Sequence, residues 1–276
     1  KNTFGLYKKD LNDQAVRRLT MEAELRQALA ESRFSVVYQP KVDITTCQVV
    51  GMEALVRWRE SDGTLRPPSA FIPFAESSGL IQAIDFFVLE EACRQTVRWN
   101  AAGFTGLTLS VNLSAQHFRN LDLPGQVFEV LERTGLGPGQ LELEITETAL
   151  VKSFQLTRHL MESLHTQGVS FSLDAFGTGY SSLSYIRSLP LAGIKIDRSF
   201  TADLANPKTR AIVSTMMHMA GELRLELTVE GLETETQLAA IRSLLSHNDD
   251  ILLQGYLFSR HLSADSLPSL FDRAFF

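Results

Sequence analysis

Eight short apolar runs follow one another along the chain, and each carries a polar residue at or near its end. Stretches with the apolar spacing of helices fill most of the gaps between these runs. The polar residues are mostly acids and amides, with one lysine: Gln39, Glu53, Asn112, Glu144, Asp174, Lys195, Glu230 and Gln254. Strands that alternate with helices and end in polar residues are typical of a βα barrel, which builds its active site at the strand ends. The pattern therefore predicts an α/β barrel with one oxygen-rich site.

The segment between the first two predicted strands is short, and its length indicates how these two strands run relative to each other. Strands are predicted at residues 34–39, 48–56, 107–113, 141–146, 169–174, 193–197, 226–230 and 251–256, and helices at 21–30, 82–101, 123–133, 152–167, 209–223 and 234–245. Only residues 40–47 separate the first two strands, whereas a crossover between parallel strands needs about a dozen residues or more. These two strands should therefore be antiparallel. The predicted fold is a modified TIM (β/α)8 barrel with an antiparallel first strand.

Alternation of side chains along the predicted strands places the polar residues on common faces. The pairs that share a face are Ser110 with Asn112, Ser172 with Asp174, Lys195 with Asp197, and Thr228 with Glu230. Any one such carboxylate is more often a solvated strand end or a helix cap. Acids and amides at equivalent positions of several strands make coincidence the weaker explanation, so together they predict a shared site.

The charge balance and the cysteines exclude several classes of protein. The 276 residues include 26 Lys+Arg against 32 Asp+Glu, and they show no basic stripe of the kind that binds duplex nucleic acid. No apolar stretch reaches the length of a membrane span, so we expect no membrane contact by this domain. Cys47 and Cys93 are too isolated for a disulfide framework or a zinc site, which predicts a reducing compartment, the cytoplasm.

Seven short motifs lie at or beside the polar strand ends. They are Glu-Ala-Leu-Val-Arg-Trp from Glu53, Asn-Leu-Ser from Asn112, Glu-Ile-Thr-Glu from Glu144, Phe-Gly-Thr-Gly-Tyr-Ser-Ser-Leu from Phe176, Ile-Lys-Ile-Asp from Ile194, Glu-Gly-Leu-Glu from Glu230 and Gln-Gly-Tyr from Gln254. In this order they resemble the EAL domains, the phosphodiesterases of cyclic di-GMP, over about residues 21–270. The resemblance implies a modified barrel with an antiparallel first strand that binds cyclic di-GMP and hydrolyses it to linear pGpG.

A metal site is the first implication for individual residues. By this resemblance Mg²⁺ or Mn²⁺, two ions per site in the family, would be held by Glu53, Asn112, Glu144 and Asp174, with Asp174 reaching both ions. Carboxylate and amide oxygens suit these hard cations better than zinc, and the sequence has no His/Cys cluster. Two such ions can supply a nucleophilic water and stabilise charge on phosphoryl oxygens.

Catalytic and substrate roles follow from the same resemblance. Lys195 would orient or activate the attacking water, Glu230 would act as a base or position the second ion's water, and Glu53 completes the catalytic set. Substrate contacts would come from Gln39, Arg57, Asn112, Asp197, Glu233 and Gln254. Arg57 suits a phosphate because its guanidinium offers paired donors. Glu147 would support the loop that follows the fifth strand.

Position 175 departs from the family pattern. The family's usual wording is Asp-Asp-Phe-Gly-Thr-Gly, and this chain reads Asp174-Ala175-Phe176-Gly177. The resemblance assigns the second aspartate to the second metal, and a methyl group cannot coordinate a cation. Two explanations are open: a natural receptor that has lost hydrolysis, or a substitution introduced into an active enzyme to trap substrate. The other signature acids are intact, which favours an active parent whose turnover is strongly reduced by Ala175.

The surroundings of the barrel are also predicted by resemblance. Residues 1–20 resemble the tail and linker of a preceding GGDEF domain, with a simple N-terminal extension as the alternative, and residues 21–276 form the EAL-type domain. A homodimer contact is expected around residues 181–187. The rival class of function is a non-catalytic cyclic di-GMP receptor, and a more distant one is a phosphatase or nuclease with other substrates. Lys195 and Glu230 favour enzyme ancestry, because binding alone needs no water-activating pair.

Overall fold

The computed structural model describes residues 3–60, 62–146, 154–178, 183–245, 250–271 and 273–275. Its strands are β1 (Phe34–Asp43), β2 (Val49–Arg59), β3 (Leu65–Arg66), β4 (Thr108–Asn112), β5 (Leu141–Thr146), β6 (Ser170–Phe176), β7 (Gly193–Ile196), β8 (Glu226–Val229) and β9 (Ile251–Leu253). All except β3 close into one barrel, in the order β1, β9, β8, β7, β6, β5, β4, β2 and back to β1. Among the described strands, the two-residue β3 pairs only with β2, at the edge of the barrel.

Helices surround this barrel. They are α1 (Thr3–Ala30), α2 (Pro68–Ser78), α3 (Ile81–Ala101), α4 (Leu123–Thr134), α5 (Phe154–His165), α6 (Leu183–Ser188), α7 (Arg198–Ala202), α8 (Pro207–Leu223), α9 (Glu235–Arg242) and α10 (Pro268–Phe271). The main apolar core includes strand residues such as Leu109, Leu143 and Ile194 together with helix residues such as Leu160 and Met217, all buried. Among these described helices, none combines the length and the apolar character that a membrane span requires.

Strand β1 runs antiparallel to both of its neighbours, β2 and β9, and the other barrel pairings are parallel. This confirms the modified (β/α)8 barrel. Asp43 ends β1 and closes the short connection, because its Oδ1 accepts hydrogen bonds from the backbone N–H groups of Thr45 and Thr46, at 3.1 and 2.6 Å. The register of the hairpin sets Gln39 opposite Glu53. The hairpin thus brings the first two polar strand residues together.

The sequence pattern does not predict α2, which carries two prolines. Pro68 occupies the first turn, where a missing N–H costs nothing, whereas Pro73 lies inside the helix. Helix α2 belongs to a second apolar cluster in which Trp58 packs edge-on against Phe71, with ring centroids 5.5 Å apart. The guanidinium of Arg66 lies 4.2 Å above the same indole ring. Trp58 is therefore a packing residue beneath α2.

Helix α1 continues without a break through the predicted boundary between residues 20 and 21. Its C-terminal part packs against the second apolar cluster through Leu25 and Ala28, both fully buried. Further towards the N-terminus, Val16 is 54% exposed and Leu19 is 68% exposed. The division of the chain into a tail or linker at 1–20 and a barrel domain at 21–276 stays a prediction.

The interior of the barrel is polar, whereas regular TIM barrels fill theirs mainly with branched apolar residues. The buried polar residues on its strands and strand ends are Gln39, Lys41, Glu53, Ser110, Glu142, Glu144, Ser172, Lys195, Thr228 and Gln254. Most of these groups are paired with one another, because an unpaired buried donor or charge is costly. Two oxygens are exceptions among the described residues, Oγ of Ser172 and Oε1 of Gln254, which have no hydrogen-bond partner. The barrel interior is therefore held together largely by ion pairs and hydrogen bonds.

Candidate active site

The ammonium group of Lys195 lies at the centre of this polar interior. Its Nζ lies 2.6 Å from Oε2 of Glu144, 2.8 Å from Oε1 of Glu230, 3.1 Å from Oε2 of Glu53 and 3.9 Å from Oδ1 of Asp174. These acids come from β2, β5, β6 and the residue that follows β8. The Lys195 side chain is 1% exposed, so the attraction between these charges is little screened by water.

Amide side chains fix the position of Glu53. Nδ2 of Asn112 donates to one of its carboxylate oxygens at 2.8 Å, and Nε2 of Gln254 donates to the other at 2.6 Å. The same Nε2 of Gln254 also donates to Oε1 of Gln39 at 3.1 Å. Through Lys195 and Glu53, the structure joins all eight polar strand-end residues named from the sequence into one connected network.

A second pair of charges, which the sequence analysis does not single out, lies against this network. Nζ of Lys41 on β1 donates to Oε1 of Glu142 at 2.7 Å and to Oε1 of Glu144 at 3.0 Å. The hydroxyl of Ser110 donates to the same Oε1 of Glu142 at 2.7 Å. The inward position of these two residues could have been found in the sequence from the alternation of side chains along a strand, because residues 41 and 142 share the inward face with residues 39 and 144.

The pKa values of the two central glutamates are driven apart. Burial raises the pKa of Glu144 to about 8, and the negative charge of Glu53 adds to this effect. Burial would raise the pKa of Glu53 as well, but Lys195, Lys41 and the two amide hydrogen bonds lower it to about 2. Glu53 is thus the charged partner of the pair when no added cation is present.

Burial and neighbouring charges also shift the pKa values of Lys195 and Glu230. Burial opposes the charged form of Lys195, yet Glu144, Glu230 and Glu53 together raise the pKa of its ammonium well above the usual value. Burial raises the pKa of Glu230 despite its ion pair with Lys195. The network therefore holds a firmly protonated lysine beside a carboxylate that binds a proton more readily than usual.

Ala175 occupies an unusual backbone conformation at the end of β6. Its φ is 54°, in the left-handed region that alanine adopts rarely, and the pairing of β6 with β7 slips between Leu173 and Phe176. Oδ1 of Asp174 accepts a hydrogen bond from the backbone N–H of Ala175 at 2.8 Å. The backbone C=O of Ala175 accepts one from the Thr178 hydroxyl at 2.8 Å. The turn after β6 is thus held by hydrogen bonds on both sides of residue 175.

Two cavities adjoin the network, and Leu55 lines both of them. One, of about 260 Å³, is lined mostly by polar and charged residues, among them Gln39, Glu230, Glu233, Gln254, Tyr256 and His261, and is called the polar cavity. The other, of about 250 Å³, is largely apolar and reaches Asn112 and Glu144. Both cavities thus place open space beside the acids of the network.

His261 and Arg198, which line the polar cavity, are not identified by the sequence analysis. They lie outside the strands, so strand periodicity carries no signal for them. The His261 ring meets the Tyr256 ring edge-on, with centroids 5.6 Å apart. Burial lowers the pKa of His261, and the nearby charge of Arg57 lowers it further. The imidazole at this cavity wall therefore favours its neutral form.

The remaining predicted residues lie at the edges of the network. The guanidinium of Arg57 is half-buried, and its Nη1 donates to the backbone C=O of Val56 at 2.7 Å. Asp197 caps α7, because its Oδ1 accepts a hydrogen bond from the N–H of Ser199 at 2.9 Å. Their substrate roles, like that of Glu233, stay predictions. Glu147 lies outside the described residues, so its supporting role stays a prediction as well.

The donor chemistry of the network fits a hard divalent cation. Glu53, Glu144 and Asp174 offer carboxylate oxygens and Asn112 offers an amide, and hard cations favour such oxygen ligands. Within the described part of the chain, no three His, Cys, Asp or Glu residues form a ready-made metal site. The Lys195 ammonium lies among the acids instead, and it shows that a positive charge is accommodated there.

Comparison with known proteins agrees with this fold. The model of the EAL domain family matches residues 22–261. The chain is 41% identical over 276 residues to the cyclic di-GMP phosphodiesterase NbdA of Pseudomonas aeruginosa, covering 100% of this chain and 35% of that protein. It is 37% identical over 268 residues to the bifunctional diguanylate cyclase/cyclic di-GMP phosphodiesterase MucR of the same species, covering 97% of this chain and 38% of that protein.

A solved structure shares both fold and sequence with the chain. The PaMucR phosphodiesterase in its c-di-GMP complex superimposes with a TM-score of 0.84 at 38% identity, covering 90% of this chain and 99% of that chain. Fold and site together define a modified βα barrel whose acids and amides converge at one end. The chain belongs to the EAL domain family. It spans about a third of the length of the curated relatives named above.

Proposed function

We propose that this chain binds cyclic di-GMP and derives from a phosphodiesterase that hydrolyses it to linear pGpG. The observation that carries the proposal is the convergence of Glu53, Glu144, Asp174 and Glu230 on Lys195, with two cavities beside them. The names of NbdA and MucR support the substrate. The proposed site is cytoplasmic, in keeping with the free cysteines Cys47 and Cys93.

The proposed hydrolysis uses the network as follows. Mg²⁺ or Mn²⁺ held by Glu53, Asn112, Glu144 and Asp174 would polarise the phosphoryl oxygen and the water. The oxygen of water forms a bond to phosphorus, the bond from phosphorus to the 3′ oxygen breaks, and that oxygen leaves as a hydroxyl after taking up a proton from a solvent water. Glu230 accepts the proton of the water, since burial raises the pKa of its carboxyl group. Lys195 holds Glu230 at a fixed distance from Glu53 and Glu144 and orients the water.

A non-catalytic receptor for cyclic di-GMP is the second candidate, and one observation favours it. Residue 175 offers a methyl group where the family pattern has an aspartate, so this chain lacks one oxygen for a second ion. We propose that hydrolysis by this chain is strongly reduced for that reason, while ligand binding persists. The acids around Lys195 are intact, which supports the enzyme as the parent activity.

Cyclic di-GMP is expected to bind with a dissociation constant of about 1 μM or lower, which corresponds to roughly 8 kcal/mol of binding free energy. GMP should bind more weakly because it leaves part of the two cavities unfilled, and linear pGpG because its open chain loses more conformational freedom on binding. Isothermal titration calorimetry with Mg²⁺, Mn²⁺ or Ca²⁺ present measures this. The absence of binding heat with cyclic di-GMP under all three ions would contradict the proposal.

A matched pair of variants tests the site in the same titration. Gln254→Leu removes the hydrogen bonds to Glu53 and Gln39 inside the polar cavity, so it should weaken binding. Gln27→Leu changes the same residue type on the exposed face of α1, outside the barrel strands, and should leave binding unchanged. Equal binding by both variants would place the ligand elsewhere.

A homodimer is proposed around residues 181–187, of which 181 and 182 lie outside the described residues. The proposal comes from the family resemblance, and α6 is the described element of this segment. Multi-angle light scattering should return about twice the chain mass of 30.8 kDa. A constant mass of one chain at every concentration would exclude a dimer made by this domain.

We also propose that the full-length protein carries a GGDEF domain before this one. The relatives are about three times as long as the chain, and the name of MucR includes diguanylate cyclase activity. The continuous helix α1 would then connect the two domains.

A further inference from the structure

Lys41 is a buried lysine that the proposed chemistry does not use. It lies on β1 one inward position beyond Gln39, and its side chain is 1% exposed. Its in-register neighbour on β2 is Gly51, which adds no side chain to the shared face. The lysine stem can therefore cross the barrel interior to reach β5. A buried ammonium is retained only with closely placed partners, so its contacts define its role.

Two carboxylates of β5 share the Lys41 ammonium group. Nζ lies 2.7 Å from Oε1 of Glu142 and 3.0 Å from Oε1 of Glu144. Glu142 has a further donor in the hydroxyl of Ser110, at 2.7 Å. Glu142 is thus held by two groups, and it fixes the ammonium of Lys41 beneath Glu144.

Glu144 is consequently held on both of its oxygens by different lysines. Nζ of Lys41 donates to Oε1 of Glu144 at 3.0 Å, and Nζ of Lys195 donates to Oε2 at 2.6 Å. A carboxylate bound at both oxygens cannot rotate about its terminal bond without losing one of these contacts. If Lys195 moves towards substrate or water, Lys41 still determines where the Glu144 carboxylate points.

We infer that Lys41 is a positioning residue that holds Glu144 in the orientation needed to bind a divalent cation. The inference rests on the proposed function, in which Glu144 is a metal ligand. Lys41 acts through Glu144 and touches neither substrate nor ion. Residues that orient a metal ligand in this way typically change metal affinity by about 10–100-fold when they are replaced.

The test measures metal affinity directly, without relying on turnover. With cyclic di-GMP present, free Mn²⁺ is followed by electron paramagnetic resonance during titration of the parent chain, Lys41→Met, Glu142→Gln and the double variant with both changes. Lys41→Met should raise the Mn²⁺ dissociation constant by about 10–100-fold. Glu142→Gln should change it much less, because Lys41 still reaches Glu144.

The double variant separates positioning from simple charge compensation. If Lys41 only neutralised Glu142, removing both charges would restore the parent's Mn²⁺ affinity. Positioning of Glu144 predicts that the double variant regains melting temperature relative to Lys41→Met but keeps the weakened affinity. If Lys41→Met does not fold, the double variant still tests the inference. Its residue 142 is an uncharged glutamine, so no buried carboxylate at that position lacks a cationic partner.

Two results overturn the inference about Lys41. One is an unchanged Mn²⁺ affinity in Lys41→Met, and the other is full recovery of affinity in the double variant. A parent chain that binds no Mn²⁺ with cyclic di-GMP present would overturn the proposed metal-dependent function itself, and with it the role of Lys41. The parent titration therefore distinguishes the failure of the function from the failure of the positioning role.

Discussion

Replacing Ala175 by aspartate is expected to raise the rate of cyclic di-GMP hydrolysis by about 10²–10³-fold, while affinity for the dinucleotide changes only modestly. The reason is that a carboxylate at this position would supply an oxygen for a second cation beside Asp174. Each ion of a two-metal site contributes several kcal/mol to stabilising the transition state. A gain of roughly 3–4 kcal/mol corresponds to that change in rate.

The backbone at residue 175 is suited to this substitution. Its φ of 54° lies in the left-handed region, where aspartate and asparagine occur several-fold more often than most other residues with a side chain. Ala175→Asp should therefore fold without added strain. Ala175→Asn is the matched control, because it shares this backbone preference but brings no negative charge, and it should recover far less activity.

Hydrolysis is measured as pGpG formation by chromatography, with Mg²⁺ and with Mn²⁺. Rapid turnover by the chain with Ala175 would mean that the second ion is held without residue 175. An Ala175→Asp variant that stays inert with both ions would favour the receptor over the disabled enzyme. The two outcomes contradict different parts of the proposal, so a single assay distinguishes them.

Much of the barrel is readable from the sequence because its strands alternate between an apolar outer face and a polar inner face. Strand β5 matches its predicted bounds, and most other barrel strands differ by a few residues at their ends. The antiparallel β1 is predictable from loop length alone, since no crossover fits between β1 and β2. The same parity brings Glu53, Asn112 and Glu144 together.

Other features depend on tertiary contacts that leave little trace in the sequence pattern. In the sequence, Lys41 and Glu142 look like ordinary charged residues of two strands. Only the fold shows that they form an ion pair inside the barrel. Helix α2 is obscured by Pro68 and Pro73, and tertiary packing around Phe71 favours it nonetheless. The left-handed conformation of Ala175 has no sequence signal, because it arises from the slipped pairing of β6 with β7.

Replacing Lys195 by methionine is expected to destabilise the protein and to abolish most of its turnover. The ammonium group lies within 3.9 Å of Glu53, Glu144, Asp174 and Glu230, and methionine has a similar length without a charge. Removing one partner from a buried ion pair costs about 3–5 kcal/mol. For a domain of this size the melting temperature should fall by about 5–10 °C.

The loss of turnover is best measured in the Ala175→Asp background, where activity is expected to be high. Loss of a group that positions the proton transfer lowers the rate by about 10²–10⁴-fold. Lys208→Met, at an exposed position of α8, is the matched control and should alter neither the melting temperature nor the rate.

Added Mg²⁺ separates the two roles of Lys195. A divalent cation can replace the lost positive charge among the acids, so it should restore part of the melting temperature of Lys195→Met. It cannot restore the hydrogen bonds that Lys195 gives to Glu144 and Glu53, at 2.6 and 3.1 Å, so the rate should stay low. Recovery of both quantities with Mg²⁺ would mean that Lys195 acts only as a charge. Full activity without Mg²⁺-dependent stabilisation would contradict the central place given to this lysine.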